Sequence, residues 1–96
     1  MPTYVVLTRW TDQGVRTVKE TVQRAGAFRT DCERRGIRVH EFLWTQGRYD
    51  LVWSLEAPDE QTMMAAMLAI GNLGNVRTET LRAFTENEME ETLRKV

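Results

Sequence analysis

Residues 3–10, Thr-Tyr-Val-Val-Leu-Thr-Arg-Trp, are rich in β-branched and aromatic side chains. Strict alternation puts apolar groups on both sides of the strand they form, with Tyr4, Val6, Thr8 and Trp10 on one face and Val5 and Leu7 on the other. Such a strand must be covered twice. A chain of 96 residues has few elements with which to do so, and a domain this small buries a smaller fraction of its surface than a larger one. A partner subunit is therefore expected.

The rest of the chain alternates short elements. Asp12 is placed to cap a helix in which Val15, Val18, Val22, Ala25, Phe28 and Cys32 recur every three or four residues, ending at Gly36. On its charged face, Arg16 with Glu20, Glu20 with Arg24 and Asp31 with Arg35 sit four apart and read as solvated pairs. Gly26, in mid-helix at a cost of about 1 kcal/mol relative to Ala, implies a close backbone approach. Residues 37–45 and 49–56 flank Gln46-Gly47-Arg48 as an antiparallel hairpin. In its second run Tyr49, Leu51, Trp53 and Leu55 point one way, Asp50, Val52 and Ser54 the other. Pro58 and Asp59 open a second helix carrying Met63, Met64, Met67, Leu68 and Ile70, which Gly71 and Gly74 close. Residues 76–84 form a fourth strand. Thr85 with Glu88 is a capping-box signature for a terminal helix whose thin apolar stripe, Met89 and Leu93, is expected to dock loosely or on a partner.

The order β, α, β, β, α, β and a terminal helix predicts one α+β domain over residues 1–96, ferredoxin-like, with both long helices on one face of a four-stranded antiparallel sheet. If Val5, Leu7, Val39, Leu43, Leu51, Trp53, Leu81 and Ala83 meet the helices, alternation turns a second set outward. That set is Tyr4, Val6, Thr8, Trp10, His40, Phe42, Trp44, Asp50, Val52, Ser54, Thr78, Thr80, Arg82 and Phe84. Its five aromatic rings would form an apolar patch well beyond the few hundred Å² usual on a monomer. A homodimer burying on the order of 1,600 Å² would cover it, with Tyr4, Phe42, Trp44, Val52 and Phe84 as candidate interface residues. Higher assemblies stay open. The facial assignment depends on register, because a one-residue slip exchanges the two faces of a strand.

Charge and cysteine content narrow the partners. Thirteen Lys+Arg against 14 Asp+Glu give a net charge of −1, which offers no pull toward nucleic acid or an anionic membrane, and neither partner is expected. RNA recognition motifs share the element order, yet their Lys/Arg-Gly-aromatic-Gly/Ala-aromatic pattern is absent, and Asp50 stands where the stacking surface should be neutral or basic. A single cysteine permits no internal disulfide and no zinc set, so neither a metal nor a cofactor is expected and a reducing cytoplasm fits. The opening residues lack the pattern of a signal peptide, and no run approaches a membrane span.

Several residues could carry chemistry, each with an ordinary rival. Asp50 could bind an amine, but a carboxylate just after a turn more often accepts backbone N–H bonds. His40, the only histidine, could act as a base, while one His without a cluster makes a poor metal site. Arg82 could clamp a carboxylate or simply pair with Asp50 or Glu79. Trp10, Trp44 and Phe42 could line a cavity or fill a dimer core. Gly71-Asn72-Leu73-Gly74 has phosphate-loop spacing, but it follows a helix, so helix termination explains it better. Cys32 reads as packing.

Three segments together carry a family resemblance. The opening Tyr4-Val5-Val6-Leu7-Thr8-Arg9-Trp10-Thr11, the hairpin Gly47-Arg48-Tyr49-Asp50 preceded by Trp44-Thr45, and Leu73 through Phe84 resemble the GYD-domain family, named for its Gly-x-Tyr-Asp motif. The resemblance spans nearly the whole chain. It implies a dimeric α+β barrel and no established activity. A more distant similarity is to the effector-binding domain of Lrp/AsnC-type regulators, carried by Gly47-Arg48-Tyr49-Asp50 and Val76-Arg77-Thr78-Glu79-Thr80. It implies dimerisation through the sheet and small-molecule binding at subunit interfaces. No helix-turn-helix precedes the domain, so DNA binding is not expected to carry over.

Two functions compete. In the first, a non-catalytic small-molecule-binding or sensor-like domain works as a homodimer, its ligand between sheet and partner near Thr8, Trp10, His40, Trp44, Asp50, Thr80 and Arg82. In the second, a small dimeric barrel enzyme resembling the cofactor-independent monooxygenases uses His40 or Asp50 to move a proton. Fold analogy alone supports the second, so binding is the expected function and no catalytic residue is assigned.

Overall fold

The computed structural model describes residues 1–96. In chain order its elements are β1 (Thr3–Trp10), α1 (Asp12–Arg16), a 3-10 turn (Val18–Glu20), α2 (Thr21–Arg34), β2 (Arg38–Trp44), β3 (Leu51–Glu56), α3 (Glu60–Asn72), β4 (Val76–Ala83) and α4 (Glu86–Leu93). The strands pair antiparallel in the order β2-β3-β1-β4, the α+β, ferredoxin-like arrangement expected from the sequence. No helix is long and apolar enough to cross a membrane.

The facial assignment is different from the expectation. Directly opposed residues in an antiparallel pair share a face. Tyr4 opposes Leu55, Val6 opposes Trp53 and Thr8 opposes Leu51, so Tyr4, Val6 and Thr8 join the β3 core residues beneath the helices. Val5 and Leu7, expected there, lie on the open face instead. In β4, Leu81 opposes Val5 and Ala83 opposes Thr3, which turns both outward with them. In β2 a bulge at His40 inserts one residue, so Val39 and Phe42 both face the helices and Leu43 faces out. Within β3 the orientation is as expected, with Leu51, Trp53 and Leu55 in and Val52 and Ser54 out.

The open face consequently carries an aliphatic patch, bordered by Arg9, Glu41, Arg77 and Glu79, rather than an aromatic one. Val5, Leu7, Leu43, Val52, Leu81 and Ala83 share it, with Leu43 51% and Leu81 43% exposed. Of the expected interface residues, Tyr4, Phe42 and Trp44 lie on the helix side, Val52 stays on the open face, and Phe84 is exposed just beyond β4. Rings carry the largest apolar area per residue, and packing beneath two helices removes more of it from water than a flat sheet face can.

The first helix is also interrupted. Thr11, not Asp12, caps α1, its hydroxyl accepting from the Gly14 N–H, and the chain then breaks at Thr17 before α2 begins. Val15, Thr17, Val18, Thr21 and Val22 crowd this stretch with β-branched side chains that are stiff against a preceding turn. The core phase starts only at Ala25, and Val22, expected on the buried stripe, is 69% exposed. Elsewhere the signals hold: Gly36 ends α2 with φ +78°, Asp59 Oδ1 caps α3 through the Thr62 N–H at 2.7 Å, and Thr85 with Glu88 forms the capping box of α4. Hydrogen bonds from the Thr62 backbone amide and then its side chain hold the Asp59 carboxyl below its ordinary value. Met64 and Leu68 of α3 point to solvent rather than core, and α4 buries no residue.

Two glycines illustrate opposite constraints. A Cβ on Gly14 would collide with the Asn75 carbonyl, so this corner requires glycine. Gly26 meets nothing within 4 Å and is exposed, which corrects the expectation of a close approach there. Gly26→Ala is accordingly expected to stabilise the protein by about 0.5–1 kcal/mol, read as a rise in the urea midpoint at unchanged slope. Cys32 is fully buried in the core, and desolvation pushes its thiol up to about 12, leaving it neutral and unreactive.

Candidate functional site

Between α2, α3 and the sheet lies a cavity of about 330 Å³ lined by 15 residues, 11 of them hydrophobic. Its size falls at the lower end of the range for small-molecule sites. The strands contribute Trp10, Phe42, Leu51, Trp53 and Val76; α2 contributes Thr21, Arg24, Ala25, Ala27, Phe28 and Asp31; and α3 with the following turn contributes Ala69, Ile70, Leu73 and Asn75. Small alanines on both helices leave the space open. The aromatic part is a packed cluster in which Trp53 stacks on Phe42 at 5.0 Å and tilts against Phe28 at 4.6 Å. Trp53 is 1% exposed and its indole N–H has no partner in the protein.

Local hydrogen bonding positions this floor. The Asp50 carboxylate accepts from the Trp10 N–H at 2.9 Å, while the Asp50 amide donates to the Thr8 carbonyl at 2.8 Å. In the same hairpin the Asp50 carbonyl accepts from the Thr45 amide at 2.9 Å, and Gly47 adopts φ +113°. Tyr49 lies under the Arg9 guanidinium, 5.0 Å from ring centre to Cζ. The Gly-x-Tyr-Asp segment thus clamps the hairpin to the end of β1 and fixes Trp10 in the cavity wall. On the opposite side, the Thr11 hydroxyl donates to the Gly74 carbonyl and Gln13 Nε2 to Leu73 O at 3.0 Å and Asn75 Oδ1 at 2.9 Å. These bonds hold the α3–β4 turn, and with it Leu73, Asn75 and Val76, against α1.

Arg24 sits in this wall because the first helix is broken. The interruption at Thr17 turns carbonyls of the first turns toward Arg24, which donates to Gly14 O at 3.1 Å and Thr17 Oγ1 at 2.7 Å and shares Thr17 O, at 3.2 Å, with the Glu20 amide at 3.0 Å. The pairing with Glu20 suggested by sequence spacing is not formed. Asp31, the one carboxylate in the lining, is engaged by Arg35 Nε at 2.8 Å.

Of the seven candidate ligand residues, Trp10 lines the cavity. Trp44 stands beside it, its indole N–H donating to the lining residue Thr21 at 3.0 Å. Thr8 is fully buried on the helix side, its hydroxyl without a partner, and Asp50 is occupied by the Trp10 amide. His40 lies at the β2 edge, 3.4 Å from Glu56 Oε2. Thr80 and Arg82 are exposed on β4 at the other edge. Three strand spacings, about 14 Å, separate the two edges, so one chain does not bring His40 and Arg82 together. Arg82 pairs with neither Asp50 nor Glu79; it lies over Phe84 and Tyr4 and donates to the Thr3 and Ala83 carbonyls. No three His, Cys, Asp or Glu side chains are grouped to hold a metal ion. Arg24, Phe28, Ile70 and Asn75 escaped sequence reasoning. The crowding of β-branched residues before Arg24 is the signal that could have found it.

The clamp that Asp50 makes with β1 gives the Gly-x-Tyr-Asp segment a structural meaning, and residues 4–93 match the GYD domain. The chain belongs to the GYD domain family. This GYD domain is also 38% identical over 84 residues to a Thermus thermophilus protein, covering 86% of this chain and 88% of that one. That relative is named glutamine synthetase and cystathionine beta-lyase binding protein. No solved structure matches the chain.

Proposed function

We propose that this GYD domain is a non-catalytic, sensor-like binding module that works in the cytoplasm as a homodimer. It holds a small molecule in the cavity between helices and sheet, and it presents its outer helices to other proteins. The observation that carries this reading is the cavity itself, an aromatic floor on hydrogen-bonded strands with alanine walls. His40 and Asp50, the two groups an enzyme was expected to use, lie outside its lining, which favours binding over turnover. The sequence resemblance to Lrp/AsnC effector-binding domains favours the homodimer paired through the sheet. The aliphatic open face supports dimerisation, since six apolar side chains on one flat sheet are a costly surface to leave in water. Exposed Met64 and Leu68 on α3 and Met89 and Leu93 on α4 suit a protein partner, as does the name of the Thermus relative.

The neutral apolar dye N-phenyl-1-naphthylamine tests the cavity. Its fluorescence is expected to rise on titration and saturate at one dye per chain. Ala69→Trp, which fills the cavity, is expected to abolish that rise. An absent signal, or one that Ala69→Trp leaves intact, would overturn the reading.

A further inference from the structure

We infer that the cavity takes a ligand with a flat apolar body and an anionic group, and that Arg24 is the residue that meets the anion. The inference rests on the cavity being a binding site and goes further by assigning its chemical class. Trp10, Phe28, Phe42 and Trp53 line the interior together with Ala27 and Ala69, an aromatic lining with small neighbours that suits a flat apolar body. A volume of about 330 Å³ limits that body to two or three rings.

Charge decides the head group. Arg24 and Asp31 are the ionised side chains of the lining. Asp31 is balanced by Arg35 at 2.8 Å, whereas no carboxylate lies within salt-bridge distance of Arg24. All three hydrogen bonds of the Arg24 side chain go to uncharged oxygens, at Gly14 and Thr17. Its positive charge is therefore uncompensated at the edge of an apolar space, where an anion is attracted more strongly than in open water. Those bonds also fix the guanidinium in advance while leaving part of its roughly five-donor fork free, so little side-chain freedom is lost on meeting a carboxylate. An amine would find no free carboxylate in the lining.

Calorimetric titration with 2-naphthoate and its uncharged isostere 2-naphthamide separates this inference from the reading beneath it. The parent protein is expected to bind 2-naphthoate at least tenfold more tightly than the amide, with the preference shrinking as salt is raised. Arg24→Gln is expected to bring the two affinities together. Equal affinities in the parent would overturn the role of Arg24 and leave the cavity reading standing. Failure of both compounds to bind the parent would overturn both. The parent comparison is decisive even if Arg24→Gln folds poorly.

Discussion

Trp53→Ala is expected to remove about 3–5 kcal/mol of stability, a large part of the roughly 5–15 kcal/mol available to a whole domain. Trp53 is 1% exposed, opposes Val6 and Phe42 across the sheet, and packs on Phe28 and Phe42. The loss combines lost transfer energy with a void that neighbouring β-strands cannot collapse to fill. Urea unfolding followed by circular dichroism should show a fall in midpoint of that size. A loss below about 1 kcal/mol would mean that the aromatic cluster is not the core.

Leu7→Asp carries the second large effect, on assembly rather than folding. Leu7 lies at the middle of the open face, opposite Val52 on one side and Glu79 on the other. In a monomer the new carboxylate would be half solvated and tolerable. In a stacked pair of sheets it would be buried without a partner, at about 3–5 kcal/mol per copy, enough to weaken association at least a hundredfold. Sedimentation is expected to show twice the 11.2 kDa chain mass for the parent and the chain mass for the variant. A monomeric parent would refute the dimer. Phe42→Asp, by contrast, is expected to destabilise the fold itself, because Phe42 packs against Phe28 and Trp53 on the helix side.

Element order and the ends of α2, α3 and α4 were legible in the sequence because they depend on local chemistry, whereas the cap of α1 falls on Thr11 rather than Asp12. Asp59, Thr85 and Gly36 perform at their helix ends the roles their residue types announce. Facial orientation was not legible, since β1 is apolar on both sides and either set could have faced the helices. The long-range pairing of Val6 with Trp53 decides it, together with a bulge at His40 that no local signal marks. Trp10 was identified as a cavity candidate, but on the wrong side of the sheet. Arg24 was hidden for a different reason: only the break at Thr17 brings the Gly14 carbonyl and the Thr17 hydroxyl within its reach. Asp50 drew attention as a charged group near a turn, and its carboxylate is committed to one backbone amide that holds the cavity wall.

The chain contains two isoleucines, and they make the most direct test of whether the cavity binds small molecules. Ile70 lines the cavity, whereas Ile37 is buried in the core outside its lining. A spectrum of protein labelled at the isoleucine δ1 methyls should therefore show two resonances. On addition of 2-naphthoate or N-phenyl-1-naphthylamine, the Ile70 methyl is expected to shift progressively to saturation while the Ile37 methyl stays in place. An Ile70 resonance that does not move at millimolar concentrations of either compound would contradict the account.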